Sequence, residues 1–241
     1  MKTILTHFYN EEYLLPFWLK HHKKYFDYGI LIDYDSNDNS IDIIKKICPD
    51  WKIIKSKNKV FDAYKCDEEL IEIETEIKDF RICLNVTEFL IGNYVILNDY
   101  IETKKYFLIP SYVMVDDENQ MYNHVNENLL LERMNGIDFE KDNNFRIRRA
   151  RCLSNLCMQY PLGRHFENYN TDQFRILWYG YSPFNEMTIK RKLQIQDRIP
   201  ESDKFNKLGH EHLITESQLI EKFHYYQTKS ENLYDKIKHL I

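Results

Sequence analysis

Thr3–Glu12 reads TILTHFYNEE, and Gly29–Ser40 reads GILIDYDSNDNS. In each stretch a short apolar run passes into a polar loop, and a helical pattern follows. Open α/β sheets bind ligands in the crevice outside the carboxyl ends of their strands. Two such loops, one strand–helix–strand unit apart, predict a mononucleotide site with carboxylates in place of a glycine-rich cradle.

The pattern extends outward from these loops. Residues 3–8 alternate and are rich in β-formers, which predicts a strand. Leu14, Leu15, Trp18 and Leu19 recur at helical spacing up to about Tyr25, with Pro16 placed in the first turn. Tyr28–Ile32 reads as the second strand. Asp38 is the expected N-cap of a helix through Ile41, Ile44 and Ile47, which Pro49 ends. Trp51–Ile54, a helix over 62–78 and a strand at Phe80–Leu84 complete the run. The alternation predicts an α/β fold with a mostly parallel central sheet flanked by helices. After Asn85 it breaks. Tyr106–Ile109, Tyr112–Val115 and Arg175–Tyr181 read as strands, and 183–196 and 215–240 as helices. The expected organisation is one domain over 1–241. It has a nucleotide-binding half to about 100, an irregular acceptor half to about 213, and a C-terminal helix.

Composition narrows the class. The chain has 241 residues, 43% hydrophobic and 29% charged, as in a globular protein with a substantial core. Its net charge of −5 argues against a general nucleic-acid coat. Five scattered cysteines, Cys48, Cys66, Cys83, Cys152 and Cys157, show no metal-ligand spacing. Four of them read as core thiols of a reducing compartment. No secretory leader and no apolar run of membrane-spanning length is evident, so the expected location is the cytoplasm of a bacterium or of a virus-infected host. Residues 61–80 carry eight carboxylates against two lysines, most of them expected on a solvated helix face.

Several segments together resemble the GT-A glycosyltransferases, in particular small family-2-like bacterial and viral members. FYNEEYLLPFWLKHH (8–22) is similar to that group's opening motif, and LIDYDSNDNS (31–40) to its second loop. RICLNVTEFLIG (81–92) lies where the family carries its Asp-x-Asp strand end. Residues 176–203 with Gly209–His212 resemble the C-terminal part of a subgroup that includes a glycosyltransferase domain of a chlorella-virus protein. The resemblance spans roughly residues 2–215. It implies a GT-A-like nucleotide-diphospho-sugar transferase fold, a nucleotide-sugar donor, a glycan or other hydroxyl acceptor, and a divalent cation, Mn²⁺ or Mg²⁺.

The candidate residues follow. Asp33 matches the family aspartate that contacts the base, and a carboxylate can accept from a uracil N–H; the plainer alternative is a turn aspartate. Thr6, Phe8 and Asn10 are expected to line the same pocket, and Asp67 to lie near it. Asn85-Val86-Thr87 replaces the expected Asp-x-Asp, and neutral oxygens hold Mg²⁺ or Mn²⁺ more weakly than carboxylates. Three readings stand. Glu88 takes over metal binding with Thr87; the metal is held by the diphosphate and a distal residue such as His165 or His212; or the chain is metal-independent or degenerate. Arg191 and Lys192, with Arg149 or Arg151, are candidates to face the diphosphate. Asp116 and Asp117 follow a strand and are candidates for the base that deprotonates the acceptor. Trp178, Tyr179 and Tyr181 suit either sugar stacking or the core. The leading reading is an inverting, metal-assisted transferase with a UDP-sugar donor favoured. The rivals are a nucleotide- or glycan-binding module without activity, and a sugar nucleotidyltransferase or hydrolase.

Overall fold

Leu31 and Ile32 are neighbours in one strand, yet they pack into two different hydrophobic clusters. Successive side chains on a strand point to opposite faces, so this strand belongs to a sheet covered on both sides. The computed structural model describes residues 1–118, 129–138, 150–156, 158–209 and 212–241. In chain order its first elements are β1 (Lys2–Phe8), α1 (Leu15–His22), β2 (Tyr28–Asp33), α2 (Ser40–Ile47), β3 (Lys52–Lys55), α3 (Ala63–Thr75), β4 (Phe80–Cys83) and β5 (Glu88–Gly92). Then come β6 (Tyr106–Ile109), β7 (Ser111–Val115), α4 (Leu129–Glu132), β8 (Asn135–Ile137), β9 (Arg151–Ser154) and β10 (Phe174–Tyr181). The chain continues through α5 (Glu186–Leu193), α6 (Glu201–Phe205), α7 (Glu216–Gln227), β11 (Glu231–Asn232) and α8 (Tyr234–Ile237).

The first sheet has the order β3-β2-β1-β4-β9-β6, and β3, β2, β1 and β4 run parallel. The chain steps outward from β1 to β3. It then returns through α3 to lay β4 on the other side of β1. This reversal puts α1 and α2 on one face and α3 on the other. Ile4, Phe8 and Leu31 pack with Trp18, Leu19 and Ile44, whereas Leu5, Ile32 and Cys83 pack with Cys66 and Leu70. It also opens a topological switch point at the carboxyl ends of β1 and β4.

The second sheet, β11-β8-β7-β10-β5, is mixed. Helix α1 ties it to the first. The Trp18 indole donates to the Glu88 carbonyl (3.0 Å), and His21 Nε2 donates to the Leu90 carbonyl (2.6 Å). The Leu90 amide donates to His22 Nε2 (3.2 Å), so His22 Nδ1 carries the proton and donates to the Trp18 carbonyl (2.9 Å). Burial lowers both imidazoles, His21 to about 4, so both are neutral at pH 7.

Residues 101–213 thus contribute β6 and β9 to the first sheet and β7, β8 and β10 to the second. Four local expectations also change. Asn39, not Asp38, precedes α2; the Asp38 carboxylate accepts from the Ser40 amide (3.0 Å) and the Glu12 amide (2.9 Å) instead. Residues 151–154, where only Arg151 was singled out, form a buried strand. The helix expected over 215–240 stops at Gln227, because Ser230 Oγ turns back to the Gln227 carbonyl and Glu231–Asn232 pairs with β8. On α3 the acidic face is not all solvated. Buried Glu69 accepts from Ser56 Oγ (2.7 Å) and the Lys57 amide (2.6 Å), and buried Glu74 pairs with Arg164 (2.5 Å). Cys48, Cys66, Cys83 and Cys152 are buried free thiols, and Cys157 lies outside the described residues. Among the described residues no helix is long and apolar enough to cross a membrane.

Candidate functional site

Two groups of polar side chains meet the carboxyl edge of the first sheet, and a third lies at the end of β7 in the second. Adjacent strands are about 4.8 Å apart, so the ends of β2, β1 and β4 fall within about 10 Å of one another.

At the ends of β1 and β2 the two loops are clasped by amides. Asn10 sits at φ 50°, a left-handed conformation that asparagine tolerates. Its Nδ2 donates to Asn37 Oδ1, and the Asn37 amide donates back to Asn10 Oδ1, both at 2.9 Å. Asp33 is buried beside this clasp, and its Oδ1 accepts from the Ser36 amide (2.9 Å). No other described group donates to the Asp33 carboxylate. Next to the clasp lies a cavity of about 430 Å³, lined by Asn10, Tyr13, Asn39, Lys190, Arg191 and Gln194 among others. Arg191 forks onto Glu11, with Nη2 2.6 Å from Oε1 and a second bond from Nε to Oε2. Burial raises the Glu11 carboxyl, and Arg191 opposes that rise. Lys192, one residue and about 100° further round α5, leaves this cavity. Its ammonium lies 4.3 Å from the Tyr181 ring centroid and 5.6 Å from that of Trp178.

At the end of β4, Asn85–Glu88 closes on itself. The Asn85 amide donates to Glu88 Oε2 (2.7 Å), and the Glu88 amide donates to the Asn85 carbonyl (2.8 Å). Arg151 grips the same carboxylate, with Nε 3.0 and 3.1 Å from the two oxygens and Nη2 2.9 Å from Oε1. Both partners are buried. Arg151 Nη1 also donates to the Gly163 carbonyl (2.9 Å), whose residue's amide donates to Asp67 (2.7 Å). Asp67 is raised by burial. His165 follows directly on this turn, its ring lying close to Gly163. Thr87 is buried, and its carbonyl accepts from the Tyr179 amide (2.8 Å).

The third group surrounds Asp116, which is fully buried. Its Oδ1 accepts from Arg133 Nη1 and Ser182 Oγ, each at 2.6 Å, and its Oδ2 from the Phe184 amide at 2.8 Å. Both oxygens are committed to the interior. Asp117, one residue on, is half-exposed. His212 donates its amide to the Gly209 carbonyl (2.9 Å). Arg149 and His210 lie outside the described residues.

The structure therefore brings Asn10 and Arg191 into the lining of one cavity, with Asp33 joined to Asn10 through Ser36, and brings Asp67, Asn85, Glu88 and His165 to another place, with Thr87 buried beside it. Thr6 and Phe8 line neither place. Phe8 belongs to the core under α1 and α2, and Thr6, two residues back on the same face, has no exposed surface. Tyr179 is core and Tyr181 nearly so, which leaves Trp178 as the half-exposed ring of that group. Sequence reasoning passed over His7 and Tyr9. The period of two along β1 was the available signal, since it turns both away from Phe8. Among the described residues His7 Nδ1 is buried with no hydrogen-bond partner, and its pKa is lowered to about 4, by burial first and then by Arg151 and Arg164. The Arg198 guanidinium lies 4.1 Å from the Tyr9 ring centroid and donates to the Tyr34 carbonyl and to the Lys59 carbonyl (2.8 Å).

A divalent cation is poorly served by this donor set. Asn85 and Thr87 offer neutral oxygens, and both Glu88 oxygens already accept from Arg151. Among the described residues no three His, Cys, Asp or Glu side chains converge as a metal site would require.

No protein-family model and no curated protein matches the chain. Among solved structures it is similar to S. aureus TarS. A form spanning 1–349 in complex with UDP-GlcNAc aligns at 15% identity and TM-score 0.31, over 54% of this chain and 38% of that one. The same form without a named ligand aligns at 13% and 0.37, over 88% and 70%. Its complex with UDP aligns at 16% and 0.31, over 54% and 39%. The chain thus spans under two-fifths of the first of these.

Proposed function

We propose that this chain is a glycosyltransferase that moves a sugar from a nucleoside-diphosphate sugar to a hydroxyl acceptor. The observation that carries the reading is Asp33. It is a buried carboxylate at the end of β2, one strand from the switch point, and only one described amide donates to it. A carboxylate so placed accepts the N3–H of a uracil, which favours a UDP-sugar. The resemblance of residues 8–22, 31–40 and 81–92 to the GT-A family supports the same donor.

In an inverting transfer the acceptor oxygen bonds to the anomeric carbon as the bond to the diphosphate breaks. The electron pair leaves with the nucleoside diphosphate, and the hydroxyl proton passes to a base. We assign that base to Asp117, which is partly exposed, whereas Asp116 has no exposed surface. Asn10 and Arg191 would border the donor on the β1–β2 side, and Asp67, Asn85 and Thr87 on the β4 side. No step is assigned to a divalent cation. Nucleotide sugars are cytoplasmic in this reading, and the chain would work there.

The test is turnover of a panel of UDP-sugars with hydroxyl acceptors, followed by UDP release, beside the thermal shift given by UDP. A ligand that binds only the folded state raises the melting temperature. UDP release that depends on acceptor supports the proposal. No shift with any nucleotide overturns it. A second reading, a nucleotide- or glycan-binding module without transfer, is favoured by the loss of both Asp-x-Asp carboxylates at Asn85 and Thr87. A UDP-induced shift with no turnover of any donor would select it.

A further inference from the structure

We propose that the Arg151 guanidinium takes the structural place of a divalent cation in the Asn85–Glu88 loop, so that the chain receives a nucleoside diphosphate without one. Its nucleotide clause rests on the transferase reading above; its metal clause does not. Glu88 is the one carboxylate within Asn85–Glu88. Its two oxygens accept four hydrogen bonds, three from the Arg151 fork and one from the Asn85 amide. A cation reaching Glu88 would have to displace a buried, bidentate guanidinium or sit beside its positive charge. Bidentate arginine–carboxylate pairs are among the strongest charge-assisted hydrogen bonds, so neither route is favourable.

Arg151 also does what a bridging ion would do. It joins the loop after β4 to the turn at Gly163 and Arg164, through Nη1 bonds of 2.9 and 3.4 Å to their carbonyls. Asp67 of α3 holds the same turn from its other side, through the Gly163 amide. Three elements are therefore fixed by protein groups alone. With both Glu88 oxygens committed to Arg151, the loop offers an ion no free carboxylate, so a nucleoside diphosphate bound at this edge of the sheet is bound without a metal held by the loop.

The experiment is calorimetry on the full chain, first with MnCl₂ alone and then with UDP in EDTA and in excess Mn²⁺. The expected results are no Mn²⁺ site tighter than about millimolar, and UDP dissociation constants that agree within about twofold between the two conditions. A micromolar Mn²⁺ site that disappears in Glu88→Gln or Asn85→Ala overturns the metal clause; a site untouched by both lies elsewhere and leaves the loop metal-free as proposed. UDP binding that weakens about tenfold or more in EDTA overturns the nucleotide clause. Absence of UDP binding in both conditions overturns that clause together with the transferase reading, while the MnCl₂ titration still decides the loop. Arg151→Gln frees Glu88 and is expected to tighten Mn²⁺ binding by about tenfold or more; if it does not fold, Arg151→Lys, which keeps the charge but not the fork, replaces it.

Discussion

Asp116 and Arg133 form an ion pair of 2.6 Å in which the carboxylate has no exposed surface and the guanidinium almost none. Adjacent aspartates thereby acquire different chemistry. Asp116 holds the end of β7 to the chain before β8 and to the Ser182–Phe184 turn, whereas Asp117, one residue on, is partly exposed. Breaking a buried pair by removing one partner costs about 3–5 kcal/mol. Asp116→Ala is therefore expected to lower the melting temperature sharply. Asp117→Asn should leave it nearly unchanged and abolish turnover with UDP binding intact. Full turnover in Asp117→Asn would remove the base from this position.

Asp33→Asn tests the base contact. The asparagine oxygen still accepts from the Ser36 amide, so the loop is kept while the charge is lost. A hydrogen bond to a charged group contributes about 1.5–3 kcal/mol, so UDP binding should weaken roughly ten- to hundredfold. Equal affinity by calorimetry would show that the uracil lies elsewhere.

Arg191 and Lys192 are adjacent in sequence but separate in role. Truncating Arg191 leaves buried Glu11 unpaired, and Arg191→Ala is expected to cost about 3 kcal/mol in urea unfolding. Lys192→Ala removes a cation from the Tyr181 and Trp178 rings and should cost about 0.5–1 kcal/mol. A larger loss for Lys192→Ala would reverse the assignment.

The buried histidines set an acid limit on stability. His7 and His21 hold pKa values of about 4 in the fold, below the ordinary 6.5. The unfolded chain therefore takes up protons that the fold refuses between pH 6.5 and about 4. Stability that is fully present above pH 6.5 falls as pH drops through that window, by about 1.4 kcal/mol per pH unit for each histidine. Urea titrations at pH 7 and pH 5 should show this slope. His21→Gln, whose amide can still donate to the Leu90 carbonyl, should lose one histidine's share of it. An unchanged slope in that variant would contradict the assignment.

The strand–helix alternation from Thr3 to Leu84 determined the parallel core of the first sheet, because apolar periodicity is a local property of the chain. It likewise marked Asp33 and Asn10, which stand at strand ends where any α/β sheet exposes its loops. Whether a polar side chain at such an end faces a ligand or a protein partner is a different kind of question. Nothing near Glu88 in sequence announces Arg151, 63 residues away, and nothing near Asp116 announces Arg133 or Ser182. Those pairings exist because β9 returns beside β4 and β10 beside β7, and side chains of opposite charge buried together must satisfy one another. The sequence by itself determined the strands of the parallel core and where their loops emerge. Only the tertiary structure decided which carboxylates at those loops are held by a guanidinium, because charge pairing is set by distance in space and not by separation along the chain.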